Sequence, residues 1–301
     1  MFRTILVPLD GSSLAEYAIP FAVEIARRTQ GCVRLLRAMP ESRKMVDIPL
    51  SIQASARKLA QHRLDELVKA YETPWVSLTA EVRIGFPTEE IRLAATMSDL
   101  IVMTTRGRGG IQRVEMGSVA DRVIRLASRP VLAIHPPHER TRESAQAAAL
   151  RMFRDVLVTL DGSAVAAQAL SEVRSFADDG TRIHLVRVVA GDATPAVQAL
   201  SKSELRDASS GLRDLSATVL RSVEKSDSPA KGIVDYALRN ECGLIAMTMH
   251  GAGGAKRWIL GDVTDEVLQH GPTPVLVIRA SRELWQSEQR PSVERKLAVV
   301  C

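Results

Sequence analysis

Two stretches of this sequence gather residue types suited to holding an anion. One is Asp10-Gly11-Ser12; the other begins at Thr105-Arg106-Gly107, continues as Arg108-Gly109-Gly110, and after six more residues reaches Gly117-Ser118. Glycines let backbone amides approach a ligand closely, and arginines add charged donors. Val119, Val123 and Leu126 follow at helical spacing, so Gly117 and Ser118 stand at a helix start. Such a start presents unpaired N–H groups and about half a positive charge, a setting for phosphate oxygens. The same residues also fit a plain glycine turn closed by Ser118 as an N-cap, with Asp121 completing the pattern. Asp10 has two readings as well: a partner for a ribose hydroxyl or a divalent cation, or the opening of a turn into a helix.

The elements that must position these loops are repeated. Leu6–Ser12 (LVPLDGS) returns as Leu157–Ser163 (LVTLDGS) with six of seven residues identical, Leu100–Gly110 returns as Leu244–Gly254, and Arg129–Ile134 as Thr273–Ile278. Within each copy, short apolar runs alternate with segments of helical periodicity, the signature of βαβ units and a parallel sheet. Strands are expected near 4–9, 33–39, 76–84, 100–104 and 131–134, and again near 156–160, 183–189, 218–223, 244–247 and 275–278. The first helix opens with Ser13 and Glu16 at capping-box spacing, ends near Gly31, and is expected to bend at Pro20, which has no N–H to donate. A helix between Pro40 and Tyr71 has Leu59, Leu64, Leu67 and Val68 on its apolar side, and methionines 39, 45, 97, 103 and 247 are expected to fill cores.

The chain of 301 residues suits two domains: 1–138, a linker at 139–152 with helical character, 153–281, and a tail at 282–301 without counterpart in the repeat. A composition of 46% hydrophobic and 25% charged residues is that of folded globular protein. The net charge of +5 lies wholly in the first half, where residues 1–150 hold 21 Lys/Arg against 16 Asp/Glu and residues 151–301 hold 19 against 19. That bias favours an anionic ligand, but no basic run with interleaved aromatics points to nucleic acid. The absence of a leader or a long apolar run implies no membrane and a cytoplasmic location. Cys32, Cys242 and Cys301 form no CxxC pair and are expected to be plain thiols. No P-loop, nucleophile elbow or HExxH helix is present, so no catalytic residue is assigned and a binding role is expected rather than an enzyme.

These residues resemble the universal stress protein family in its tandem two-domain form, over about Met1–Pro136 and Phe153–Ala280. ATP-binding members carry Gly-x2-Gly-x9-Gly-(Ser/Thr); this chain reads Thr104-x2-Gly107-x9-Gly117-Ser118, and in the second copy Thr248-x2-Gly251-x9-Gly261-Asp262. The resemblance implies an α/β fold of two tandem open five-stranded parallel sheets with helices on both faces, Rossmann-like with strand order 3-2-1-4-5. It implies ATP, with Mg²⁺, as the ligand. Adenine would lie beside Pro8, Leu9 and Ala38, ribose near Asp10 and Met103, and phosphates along Gly107, Arg108, Gly117, Ser118 and Val119. The corresponding second-copy positions are Thr159, Leu160, Asp161, Val188, Met247, Gly251, Gly261 and Val263. There Asp262 is expected to cap its helix and repel a triphosphate, leaving the first copy the better site. The resemblance further implies that the halves pair through their last strands, that homo-oligomers form, and that a protein partner reads nucleotide occupancy as a stress-response signal. The rival expectation is an interaction scaffold of the same fold that binds no nucleotide.

Overall fold

The computed structural model describes residues 1–40, 50–106, 116–137, 141–249 and 261–279. The chain divides into two compact units, Met1–Leu150 and Arg151–Cys301.

In the first unit the strands are β1 (Thr4–Leu9), β2 (Cys32–Met39), β3 (Leu78–Ile84), β4 (Leu100–Thr104) and β5 (Val131–Ile134). All pairings are parallel: β1 lies between β2 (Ile5 opposite Val33) and β4 (Ile5 opposite Leu100), β3 flanks β2, and β5 flanks β4. The order is therefore β3-β2-β1-β4-β5, as expected. β4 and β5 are buried at every residue, which a sheet covered by helices on both faces requires. The chain moves outward from β1 to β3 and then crosses back to β4. The loops after β1 and β4 consequently part at the carboxyl edge, where open α/β sheets leave a crevice.

The second unit repeats this plan with β6 (Asp155–Thr159), β7 (Arg182–Val189), β8 (Thr218–Lys225), β9 (Leu244–Thr248) and β10 (Val275–Ile278), in the order β8-β7-β6-β9-β10. Its register matches, with Val156 opposite both Ile183 and Leu244.

Three sequence expectations need correction. The first helix is two helices, α1 (Ser13–Glu16) and α2 (Ile19–Thr29); its cap is Ser12, whose Oγ accepts from the Ala15 amide, and Pro20 sits in the first turn of α2 rather than bending an interior. Proline is well tolerated there because that turn lacks hydrogen-bond acceptors anyway. In α3 (Leu50–Tyr71) the buried face is Ala60, Leu64 and Leu67, whereas Leu59 is 71% exposed. Met97, expected in a core, is also exposed, while Met103 and Met247 are buried; Met45 lies outside the described residues.

Residues expected as a linker hold α6 (Arg142–Arg151), which buries Ala145 and Ala149. Arg142 anchors it within the first unit by bonding the Ala70 carbonyl and lying 4.1 Å from the Tyr71 ring centroid. The tail 282–301 lies outside the described residues.

At the amino edge of the second sheet, away from the crevice, three buried polar side chains meet. His184 Nε2 is 2.9 Å from Asp155 Oδ1, and its Nδ1 is 3.1 Å from the Tyr236 hydroxyl. Arg182 closes the cluster with two bonds to Asp155, at 2.6 and 2.7 Å. Burial opposes ionisation of Asp155, but the bonds from Arg182 and His184 overcome it and hold its carboxyl below the ordinary value. Burial, with the Asp155 charge nearby, pushes the Cys242 thiol up to about 12, so it stays protonated. Because the folded carboxyl titrates below its unfolded value, its stabilisation is present at neutral pH and lost as pH falls through the folded value. Asp155→Asn should lower unfolding stability by about 2 kcal/mol at pH 7, with the gap to the parent narrowing below about pH 4. Urea unfolding across that range checks this; a gap independent of pH would contradict it.

Candidate functional site

The loop after β1 is a turn built on its own side chains. Asp10 Oδ1 accepts from the Ser12 amide at 2.9 Å and from Ser12 Oγ at 2.5 Å, and that hydroxyl in turn caps α1. Gly11 has φ +82°, and a Cβ there would lie 2.7 Å from Nη1 of Arg37, whose guanidinium underlies the turn. The left-handed backbone is what favours glycine at this position, since the Arg37 guanidinium is the end of a flexible side chain and can shift.

Buried threonines fix the end of β4. Thr104 Oγ1 donates to the Arg106 carbonyl at 2.6 Å, and the Thr105 amide donates to the Ile134 carbonyl at 2.9 Å. The Thr105 carbonyl accepts from the Gly117 amide at 2.8 Å, which brings the start of α5 (Ser118–Leu126) back to the strand end it left. Gly117 is the N-cap residue, and it has no side chain with which to cap the helix. The reading of Ser118 as an N-cap is thereby overturned: it is the first helical residue, and it is exposed. The amides that follow Gly117 have no intrahelical acceptor and present their partial positive charge to the crevice.

A cavity of about 330 Å³ occupies this crevice, within the range of small-molecule sites. Pro8, Leu9 and Asp10 line it from the end of β1, Ala38 from β2 and Met103 from β4; Gly117, Ser118 and Val119 line it from the entrance of α5. Eight of the first-copy residues proposed from sequence therefore converge on one space. Gly107 and Arg108 lie outside the described residues. Five wall residues were not anticipated: Ala15, Leu36, Ala120, and Pro87 and Ile91 of α4 (Pro87–Ala95). Strand alternation would have found Leu36, which shares a face with Ala38, and helical spacing links Pro87 to Ile91. The walls are chiefly apolar while the polar donors gather at the α5 end, an arrangement suited to a flat apolar ring with an anionic tail.

The second unit reproduces the turn: Gly162 has φ +86°, and Asp161 accepts from the Ser163 amide and hydroxyl at 3.0 and 2.6 Å. Arg187 underlies it as Arg37 does, here paired with Glu204. Met247 is buried at the end of β9, and Val188 and Val263 are half-buried. The Gly261 amide donates to the Met249 carbonyl at 3.2 Å, placing α10 (Asp262–His270) like α5. Gly261, not Asp262, is the N-cap residue; Asp262 is exposed in the first turn and makes no cap bond, so the expected plug of that helix by its carboxylate is not formed. Its charge still faces any anion approaching the entrance. Gly251 lies outside the described residues.

The universal stress protein family model matches residues 1–135 and 152–279, one copy in each unit. The chain belongs to that family. A universal stress protein of Mycobacterium tuberculosis is 27% identical over 303 residues, covering 92% of this chain and 96% of its own. A shorter universal stress protein of Methanocaldococcus jannaschii is 32% identical over 144 residues, 46% of this chain and 84% of its own. In fold, a universal stress protein of Archaeoglobus fulgidus superposes with a TM-score of 0.71 at 22% identity, covering 92% of this chain and 98% of that one. The tandem form suggested by the internal repeat is thus the form that full-length relatives share.

The two conserved turn geometries make a direct prediction. Gly11→Ala and Gly162→Ala should each lower stability by about 1–2 kcal/mol, because both force a side chain into the left-handed region against an arginine. Thermal or denaturant unfolding of the two variants reads this; parent-like stability would show that the turns relax without strain.

Proposed function

We propose that the first unit binds ATP and that the chain is a nucleotide-responsive regulatory module of the stress response rather than an enzyme. The observation that carries this is the joining of an apolar cavity to the entrance of α5, whose N-cap is a glycine. Adenine fits between the β1 and β2 ends, against Pro8, Leu9 and Ala38, with α4 as the opposite wall. Ribose lies at Asp10 and Met103, and the phosphates lie along the amides and hydroxyl of Ser118 and the amide of Val119. Among the described residues no group of three His, Cys, Asp or Glu is gathered to hold a metal, so Mg²⁺ would be carried on the triphosphate oxygens.

Among the described residues Asp10 is the one carboxylate lining the cavity, and its bonds to Ser12 serve the turn. We assign it no role as a general base, and hydrolysis is not part of the reading. No helix among the described residues is long and apolar enough to cross a membrane.

Calorimetric titration of the intact chain with Mg·ATP should give one site. Ser118→Asp, which sets a carboxylate beside the phosphates, should weaken it by about 2 kcal/mol, roughly 30-fold. ATP at about 100 times its Kd should add about 2.7 kcal/mol to the stability of the parent. An intact chain that takes up no ATP would leave the scaffold reading in its place.

A further inference from the structure

The outer edge of the second sheet gathers cations. β8 is the last strand there, and α8 (Pro195–Ser209) packs beside it. Two adjoining cavities of about 370 and 400 Å³ lie between strand and helix and share Arg206 and Arg221. Lys202 and Arg206 line them from one row of α8, Arg221 from β8, and Arg213 from the turn that joins the two. All four are exposed, and none has a carboxylate partner among the described residues. Neighbouring acids are engaged elsewhere: Glu204 with Arg187, Asp214 with Arg174, and Glu224 with Arg239. Arg221 donates to Ser209 Oγ at 3.0 Å, which leaves further guanidinium donors for a ligand. Residues 151–301 hold 19 Lys/Arg against 19 Asp/Glu, so this gathering is local and no part of a general excess.

The backbone of the same strand has bonding capacity to spare. The Thr218 and Ser226 amides donate to the Thr181 and Val189 carbonyls on the β7 side. By alternation Val219, Arg221 and Val223 turn their N–H and C=O groups to the free edge, and the side chains of these three residues line the cavities. In the first unit the equivalent residues are Leu78, Ala80 and Val82, since Val33 stands opposite Leu78 as Ile183 stands opposite Val219. There Leu78 and Val82 are buried, and Gln61 of α3 donates to the Ala80 carbonyl at 3.5 Å. In the second unit both valines are half-buried and an arginine stands in place of the alanine. One edge cation would serve to discourage pairing with another copy of the strand. Four cations around two cavities complement a strand that carries carboxylates.

We propose that this edge docks an extended acidic segment of a partner protein, which adds to β8 as a further strand and sets its carboxylates on Lys202, Arg206, Arg213 and Arg221. Single-stranded nucleic acid is a poorer match, because no residue lining the cavities is aromatic and bases would have nothing to stack on. The docking is independent of nucleotide binding by the first unit.

Fluorescence anisotropy of the full chain with a labelled, blocked peptide alternating glutamate with valine, eight residues long like β8, tests this. The peptide should bind, and more weakly as salt is raised. The double variant Arg206→Glu with Arg221→Glu should bind it roughly 10-fold or more weakly. A fully N-methylated peptide of the same sequence keeps the charges but has no N–H to donate, and should bind the parent chain weakly by a similar factor. A peptide that does not bind, binding unchanged in the double variant, or equal binding of the N-methylated peptide would each overturn the proposal. Tighter binding of a short single-stranded DNA, or of anionic lipid vesicles, than of the peptide would assign the groove to that polyanion and overturn it as well. Should the double variant not fold, the comparison of the two peptides on the parent chain decides the matter.

Discussion

The hydrogen bond from the Gly117 amide to the Thr105 carbonyl holds the beginning of α5 against the end of β4, and the character of the site follows from it. A helix brought there by its backbone needs no side chain to fix its first turn, and its N-cap, Gly117, has none. Its leading amides are consequently oriented by the fold. The strand order places this entrance beside the loop after β1, at the one edge of the sheet where neighbouring connections part. Ligand binding on this fold is thus a matter of what lines the crevice, because the fold itself already supplies the donors.

Duplication makes that distinction visible within one chain. Both units keep the glycine turn, the arginine beneath it, the buried threonine at the fourth strand and a glycine at the helix N-cap. They part company where a ligand would touch: serine against aspartate at the first helical residue, alanine against valine on the second strand. The net charge divides the same way, with all of the excess in residues 1–150. Backbone geometry has been retained in the second unit while its lining has changed.

Strands and their order were legible because burial on both faces writes each strand as a short apolar run, and the repeat supplied every one of them twice. The first-copy cavity residues were legible through family resemblance, which speaks mainly of loops. The walls from α4 were missed for that reason, although Pro87 and Ile91 stand one helical turn apart. The position of the first cap was missed because Ser12 and Ser13 both lie at capping distance from plausible partners, and only the Asp10 bonds decide between them. Asp262 was misread by one position: Gly261, with φ −64° and ψ 144°, holds the N-cap conformation and leaves the aspartate inside the helix.

A crystal structure grown with Mg²⁺ and a non-hydrolysable ATP analogue should show the base between Ala38 and α4, with phosphate oxygens on the amides of Ser118 and Val119. A vacant first crevice at saturating analogue, or a nucleotide bound in a place that leaves those amides to water, would contradict ATP binding at this site.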